Sequence, residues 1–234
     1  MNHAYRFHKY LLLPLTVILM FGVLGSDCKK SSTGPDTKPD TMTGNDGKVY
    51  QTVTIGNQVW MAENLRETKY RNGDAIPNVT DNTEWSGLST GARCAYNNSE
   101  TTADTYGYLY NWYAVDDSRN LAPSGWRVPT DADWTTLTNY LGSNAGVKMK
   151  EAGTSHWNSP NTGATNESGF TALPGGYRCS DGDFINLGYS ASFWSSTEGG
   201  ISLVWARALY FDHSEVSRYS SSEQFGFSVR LVRE

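Results

Sequence analysis

The residues able to do acid–base, nucleophilic or metal chemistry are few. Ahead of the N-terminal apolar run lie two of the four histidines; His156 and His213 are the others. His213 sits in Asp212-His213-Ser214, which reads as a hairpin turn, and His156 precedes Trp157 in a turn-rich stretch, so both read as solvated surface residues. The chain contains no Gly-x-Ser-x-Gly elbow, no glycine-rich phosphate loop and no His-Glu-x-x-His helix. Cys94 and Cys179 form either one disulfide, if their Cα atoms lie about 4.4–6.8 Å apart, or two buried thiols. Oxygen donors are more plentiful. Asn158, Asn166, Glu167, Asp181 and Asp183 are candidate calcium ligands, with Asn161 and Glu198 nearby in sequence. Calcium needs about six to eight converging oxygens, and the plainer reading makes these residues turn formers bonded to their own backbone. No cofactor other than calcium is expected. Aromatic side chains are the remaining candidates, with eight Trp and fourteen Tyr. Trp85, Trp157, Tyr177 and Tyr189 fall in loop-like stretches, where an exposed ring would offer a stacking face to a sugar and the plainer reading is burial beneath a long loop. Trp126, Trp134 and Trp205 fall on element starts, helix faces and strands, and read as core.

The elements that must position these groups can be read from periodicity. Val49–Ile55 and Gln58–Met61, joined by Gly56-Asn57, form a β-hairpin with Val49, Val53 and Ile55 on one side. Residues 71–98 read as a long loop. Residues 106–115 read as a short helix with Leu109, Trp112 and Tyr113 on a common face. Thr130 is placed to N-cap a helix that buries Trp134, Leu137 and Leu141 and stops at Gly142, with Asp133 at the capping-box position. A further turn of helix falls around 147–151, and 153–178 reads as an irregular, surface-running region. Strands follow around Phe193-Trp194, over 203–211, over 215–219 and over 227–232.

The chain's ends point to the cell envelope. A basic start (Arg6, His8, Lys9) precedes a mostly apolar run from Leu11 to Leu24, the pattern of a secretory signal. Cys28 follows, at the place of the acylated cysteine of a bacterial lipoprotein, although Asp27 stands where a small residue is normal; cleavage after Gly25 or Ser26 would instead leave Cys28 a free thiol. The expected organisation is a lipoprotein-type signal over 1–28, a flexible polar tether over 29–47 and one folded domain over 48–234. A net charge of −5 provides no basic footprint for nucleic acid. The expected partner at the N-terminus is a membrane, entered through a lipid anchor on Cys28.

Several short segments then resemble one family. They include Gln58-Val59-Trp60-Met61-Ala62-Glu63-Asn64-Leu65, Cys94-Ala95-Tyr96-Asn97-Asn98, Tyr106-Gly107-Tyr108-Leu109-Tyr110-Asn111-Trp112 and Pro123-Ser124-Gly125-Trp126-Arg127-Val128-Pro129-Thr130. They continue through Asn166-Glu167-Ser168-Gly169-Phe170, Leu173-Pro174-Gly175-Gly176-Tyr177-Arg178, Phe193-Trp194-Ser195-Ser196-Thr197-Glu198 and Gly226-Phe227-Ser228-Val229-Arg230. This order resembles the Fibrobacter succinogenes major paralogous domain, an envelope domain similar to the C-type lectin-like folds and, through Arg127-x-Pro129-Thr130-x-x-x-Trp134, to formylglycine-generating enzymes. The resemblance implies an α+β, C-type lectin-like fold with two short helices, small antiparallel sheets, a long irregular region and pairing between strands from both chain ends. Members often carry cysteines where this chain has Ala122 and Leu231, which fits loss of one disulfide. The function expected is that of a lipid-anchored, non-catalytic envelope protein, outer-membrane and either periplasmic or surface-exposed, that binds glycan or a surface partner. The alternatives are a structural or adhesion module without a small ligand, and a formylglycine-generating-type oxidase dependent on Cys94 and Cys179.

Overall fold

The computed structural model describes residues 40–234. The signal segment 1–28, Cys28 and the tether from 29 to 39 lie outside the described residues. The rest of the expected tether is folded: Thr41–Thr43 form β1, and side chains of the following turn bond into the domain, so polar composition here reflects a docked turn.

β2 (Val49–Ile55) and β3 (Gln58–Met61) make the expected hairpin, with Gly56 at φ +62°. Its inward residue at the start is Tyr50, fully buried, while Val49 is exposed. The Tyr50 hydroxyl donates to the buried Glu67, an attachment that alternation of apolar residues cannot reveal. The first sheet runs β1-β2-β3-β12-β6, where β12 is Val232–Arg233 and β6 is Trp126–Arg127, so strands from both chain ends do pair.

Residues 71–98 are not one loop. Asp81 caps α1 (Asn82–Ser86) by accepting from the Glu84 N–H, and Arg93–Cys94 form β4. Tyr96–Asn98 form a 3-10 turn. The single helix expected over 106–115 is three elements: the end of α2 (Glu100–Tyr106), β5 (Leu109–Tyr110) paired with β4, and α3 (Trp112–Val115). Gly107, at φ +77°, turns the chain out of the helix, and Asn111 starts α3 by accepting from the Ala114 N–H.

α4 (Asp131–Leu141) starts as expected. Thr130 accepts from the Asp133 N–H, and the Asp133 carboxylate accepts from the Thr130 N–H, closing the capping box. α5 (Ala145–Met149) follows. The second sheet runs β11-β10-β9-β7-β8, with β7 at Gly175–Arg178, β8 at Phe184–Leu187, β9 at Ser190–Gly200, β10 at Leu203–Tyr210 and β11 at Ser217–Ser222. All its pairings are antiparallel except β7 with β9. The domain is α+β, with short helices and small, mostly antiparallel sheets; α4 is the longest of its five α-helices among the described residues.

The core explains two departures from the linear pattern. The last strand, expected over 227–232, pairs in a sheet only from Val232; the buried residues before it, Gly226, Phe227 and Ser228, make isolated bridges to Arg178, Tyr110 and Phe193. The region expected to be irregular over 153–178 ends in β7 from Gly175, and the irregular part is not superficial, because Trp157, Phe170 and Ala172 are buried in the cluster that holds Trp60, Trp134 and Phe193.

Candidate functional site

α4 has two differently used flanks. Its inner stripe places Trp134 with ring centroids 4.8 Å from Trp60, 5.6 Å from Phe193 and 5.9 Å from Phe170. Under these rings Arg230 is fully buried. It donates to Asn64 Oδ1 (2.7 Å) and to the carbonyls of Met61 (2.9 Å), Phe170 (2.6 Å) and Thr171 (2.8 Å), so four of its five N–H groups are bonded to oxygens, none of them a carboxylate's. Lys150 is handled alike: its buried ammonium donates to the carbonyls of Thr162, Tyr210 and His213, tying the irregular region to the β10–β11 turn. Burial holds its pKa down at about 8, against a small opposing effect of Asp212.

The outer flank carries Tyr140, about a quarter turn from the buried stripe and 66% exposed. Its ring rests on the hairpin turn. A Cβ on Gly56 would stand 2.9–3.2 Å from three ring carbons, so only glycine lets the ring settle there. One ring face is thereby held against backbone while the ring stays open to solvent. Beside it lies a cleft of about 330 Å³ lined by Thr54, Ile55, Gly56, Tyr140, Leu141, Lys148, Glu167 and Ser168. Lys148 and Glu167 approach to only 3.9 Å, with side chains 34% and 68% exposed, which leaves both with free hydrogen-bonding capacity. The wall bearing Glu167 is pinned to α5. The Ser168 hydroxyl and N–H both donate to the Lys148 carbonyl, and the Thr165 N–H donates to that of Val147. The cleft therefore offers a fixed aromatic ring, one carboxylate, one ammonium and one hydroxyl.

A second cleft, of about 280 Å³, is lined by Arg71, Trp126 and Arg127. Both guanidiniums there are engaged: Arg71 with the carbonyls of Ala122, Pro123 and Trp126, and Arg127 with Asp133. It has no exposed aromatic, since Trp126 is buried.

The residues expected to form sites are dispersed. Trp85 is fully buried, donating from its indole N–H to the Gln224 carbonyl beneath the Arg178 guanidinium; Trp157 is buried and donates to the Ala172 carbonyl. Neither presents a face to a ligand, because each plugs the core below an irregular segment. Tyr177 is half-buried against Phe225 and Phe227. Tyr189 is exposed, edge-on to Phe211. Trp205 is half-buried under Arg218, while Trp126 and Trp134 are core. His213 is exposed in its turn; His156 is half-buried against Glu151.

The proposed calcium ligands do not converge. Asp181 accepts from the Asp183 N–H, and Asp183 from Asn82, in the β7–β8 turn. Asn166 accepts from the Thr171 N–H in a separate turn, the Asn158 N–H donates to Gly188, and Glu167 faces Lys148. Among the described residues no three His, Cys, Asp or Glu side chains gather as a metal site. Cys94 and Cys179 are free thiols. Burial raises the Cys94 pKa to about 12, against the lowering effect of Arg178, which makes it an unreactive core thiol.

Of the cleft residues, sequence reasoning singled out only Glu167, and for a different role. A signal for Tyr140 existed: it is a large aromatic displaced from the stripe of Trp134, Leu137 and Leu141. Its pairing with Gly56 is long-range and had no local mark.

The domain is thus α+β, built of short helices and small sheets, with a cleft that carries an exposed aromatic ring at the junction of a hairpin turn and a helix flank. Residues 53–233 match the model of the Fibrobacter succinogenes major domain, and the chain belongs to that family. No curated protein and no solved structure matches the chain.

Proposed function

We propose that this chain is a lipid-anchored envelope protein whose C-type lectin-like domain binds glycan, without catalysis, at the Tyr140 cleft. The observation that carries the reading is Tyr140 itself, an exposed ring seated on Gly56 at the rim of a polar cleft. A pyranose has an apolar C–H face and a rim of hydroxyls. Tyr140 suits the face, while Lys148, Glu167 and Ser168 suit the hydroxyls as donor, acceptor and both. Among cleft-lining residues Glu167 is the single carboxylate, whereas glycoside hydrolysis generally uses two. The anchor rests on the apolar N-terminal run followed by Cys28.

A glycan array probed with the full chain and with Tyr140→Ala tests this reading. The expected result is binding to a set of neutral or amino-sugar glycans that falls roughly tenfold, about 1.4 kcal/mol, in the variant. Gly56→Ala should reduce the same signals by displacing the ring. A chain that binds nothing on the array favours the structural or adhesion reading instead, and crosslinking in intact cells would then identify its neighbours. Palmitate labelling lost in Cys28→Ala tests the anchor.

A further inference from the structure

We propose that the Tyr140 cleft is one of two subsites for a neutral oligosaccharide, whose chain crosses the tip of the β2–β3 hairpin into a neighbouring cleft. The inference rests on the reading above and deepens it, naming the length and charge class of the glycan bound at that site.

The neighbouring cleft measures about 360 Å³, and Asn57, Gln58, Arg127, Asp133, Thr136 and Arg233 are among the residues that line it. The same two elements wall both clefts. On the hairpin, Gly56 lines the Tyr140 cleft and Asn57, the next residue, lines the other. On α4, Tyr140 lines the first and Thr136 the second, about one turn apart, or roughly 6 Å along the axis. Ligand sites generally hold about 300–1,000 Å³. At about 330 Å³ and about 360 Å³ each cleft alone is at the small end of that range, while the two joined reach its middle.

The hairpin tip between them is clamped to α4 on both sides. The Gln58 amide donates to the Asp133 carbonyl (3.2 Å), and the Tyr140 ring rests on Gly56. Neither cleft can shift against the other without breaking one of these attachments. A ligand that bridges the tip therefore meets two subsites already in place and spends little of its binding energy on ordering them.

The chemistry of the two clefts is complementary. The first has the aromatic ring; no aromatic residue lines the second, which offers hydrogen-bonding groups instead. Asn57 and Thr136 are exposed there. The Thr136 hydroxyl donates to the Ala132 carbonyl, so its lone pairs are left to accept. Arg127 and Arg233 are partly exposed and give only part of their five N–H groups to Asp133 and Asp40. The second cleft therefore suits the hydroxyls of a sugar unit whose neighbour stacks on Tyr140. Charges balance in both places: Lys148 against Glu167 in the first, Arg127 and Arg233 against Asp133 and Glu234 in the second. That balance favours a neutral chain over an acidic or a basic one.

Titration of the full chain with glucose, mannose, xylose and N-acetylglucosamine and their oligomers of up to four units tests the proposal. If the array returns a glycan outside these series, its own fragments of one to three units take their place. In a series that binds, affinity should rise by about tenfold or more from the monosaccharide to the trisaccharide. Tyr140→Ala should weaken every member. Asn57→Ala with Thr136→Ala should instead shrink the gain with length to below about threefold. That readout is a ratio within one protein, so a change in the fraction folded leaves it unaltered. A monosaccharide bound as tightly as the trisaccharide, or a length gain that survives the double variant, overturns the two-subsite inference and leaves the Tyr140 cleft as a site for one unit. No binding by any glycan overturns the glycan reading itself, and this inference with it.

Discussion

Trp134 and Tyr140 stand six residues apart on one helix, and their surroundings give them opposite roles. Around Trp134 the domain is closed: Trp60, Phe170 and Phe193 pack against it, its indole N–H donates to the Trp194 carbonyl, and Arg230 is sealed below with four of its five N–H donors answered by oxygen. Around Tyr140 closure stops at one ring face, where Gly56 supports it, and the neighbouring Lys148 and Glu167 are only loosely paired. In the function proposed above, Tyr140 serves as a ligand platform because backbone fixes its ring without covering it.

The strongest way to break this contrast is at Arg230. Arg230→Ala would leave four buried oxygens without a donor, at about 1–3 kcal/mol each, which is comparable to the whole stability of a domain. The expected outcome is failure to fold. Arg230→Lys should also cost several kcal/mol of unfolding free energy, read as a lowered urea midpoint, because one ammonium cannot reproduce the planar fork. Trp134→Ala should cost about 3–5 kcal/mol, measured in the same way.

The helix start gives a pH test. Burial would raise the Asp133 pKa, but bonds from Arg127 and Thr130 outweigh it and bring it to about 2. The unfolded carboxyl, near 3.8, takes its proton first as pH falls. Its contribution is therefore complete above about pH 4 and lost between there and pH 2. At about 1–2 kcal/mol, discounted because Arg127 is partly exposed, it should appear as a steeper acid limb in the wild type than in Asp133→Asn. Lys150 acts with the opposite slope: its folded pKa of about 8 lies below its ordinary 10.5, so the folded state loses the proton first and stability should rise between those values. Lys150→Met should flatten that rise in a thermal melt series. Tyr140→Ala, at the small end, should change stability by no more than about 0.5 kcal/mol.

The same contrast marks what the amino-acid pattern discloses. The α4 capping box and the Gly56 hairpin were legible because their partners lie three or a few residues apart. The expected helix over 106–115 failed because apolar spacing outweighed Gly107, whose positive φ divides it. Trp85 and Trp157 were candidates for an exposed face, with burial under a loop the plainer reading, and the groups that bury them come from distant segments: Gln224 and Arg178 for one, Lys150 and Ala172 for the other. The cleft has the same origin, since hairpin, helix flank and the Glu167 wall meet only in the fold.

The most direct measurement is affinity of the full chain and Tyr140→Ala for the glycans that the array returns, alongside their melting temperatures. The account predicts roughly tenfold weaker binding with a melting temperature unchanged within a few degrees. Equal affinity in the two proteins, or binding lost only together with stability, would contradict it.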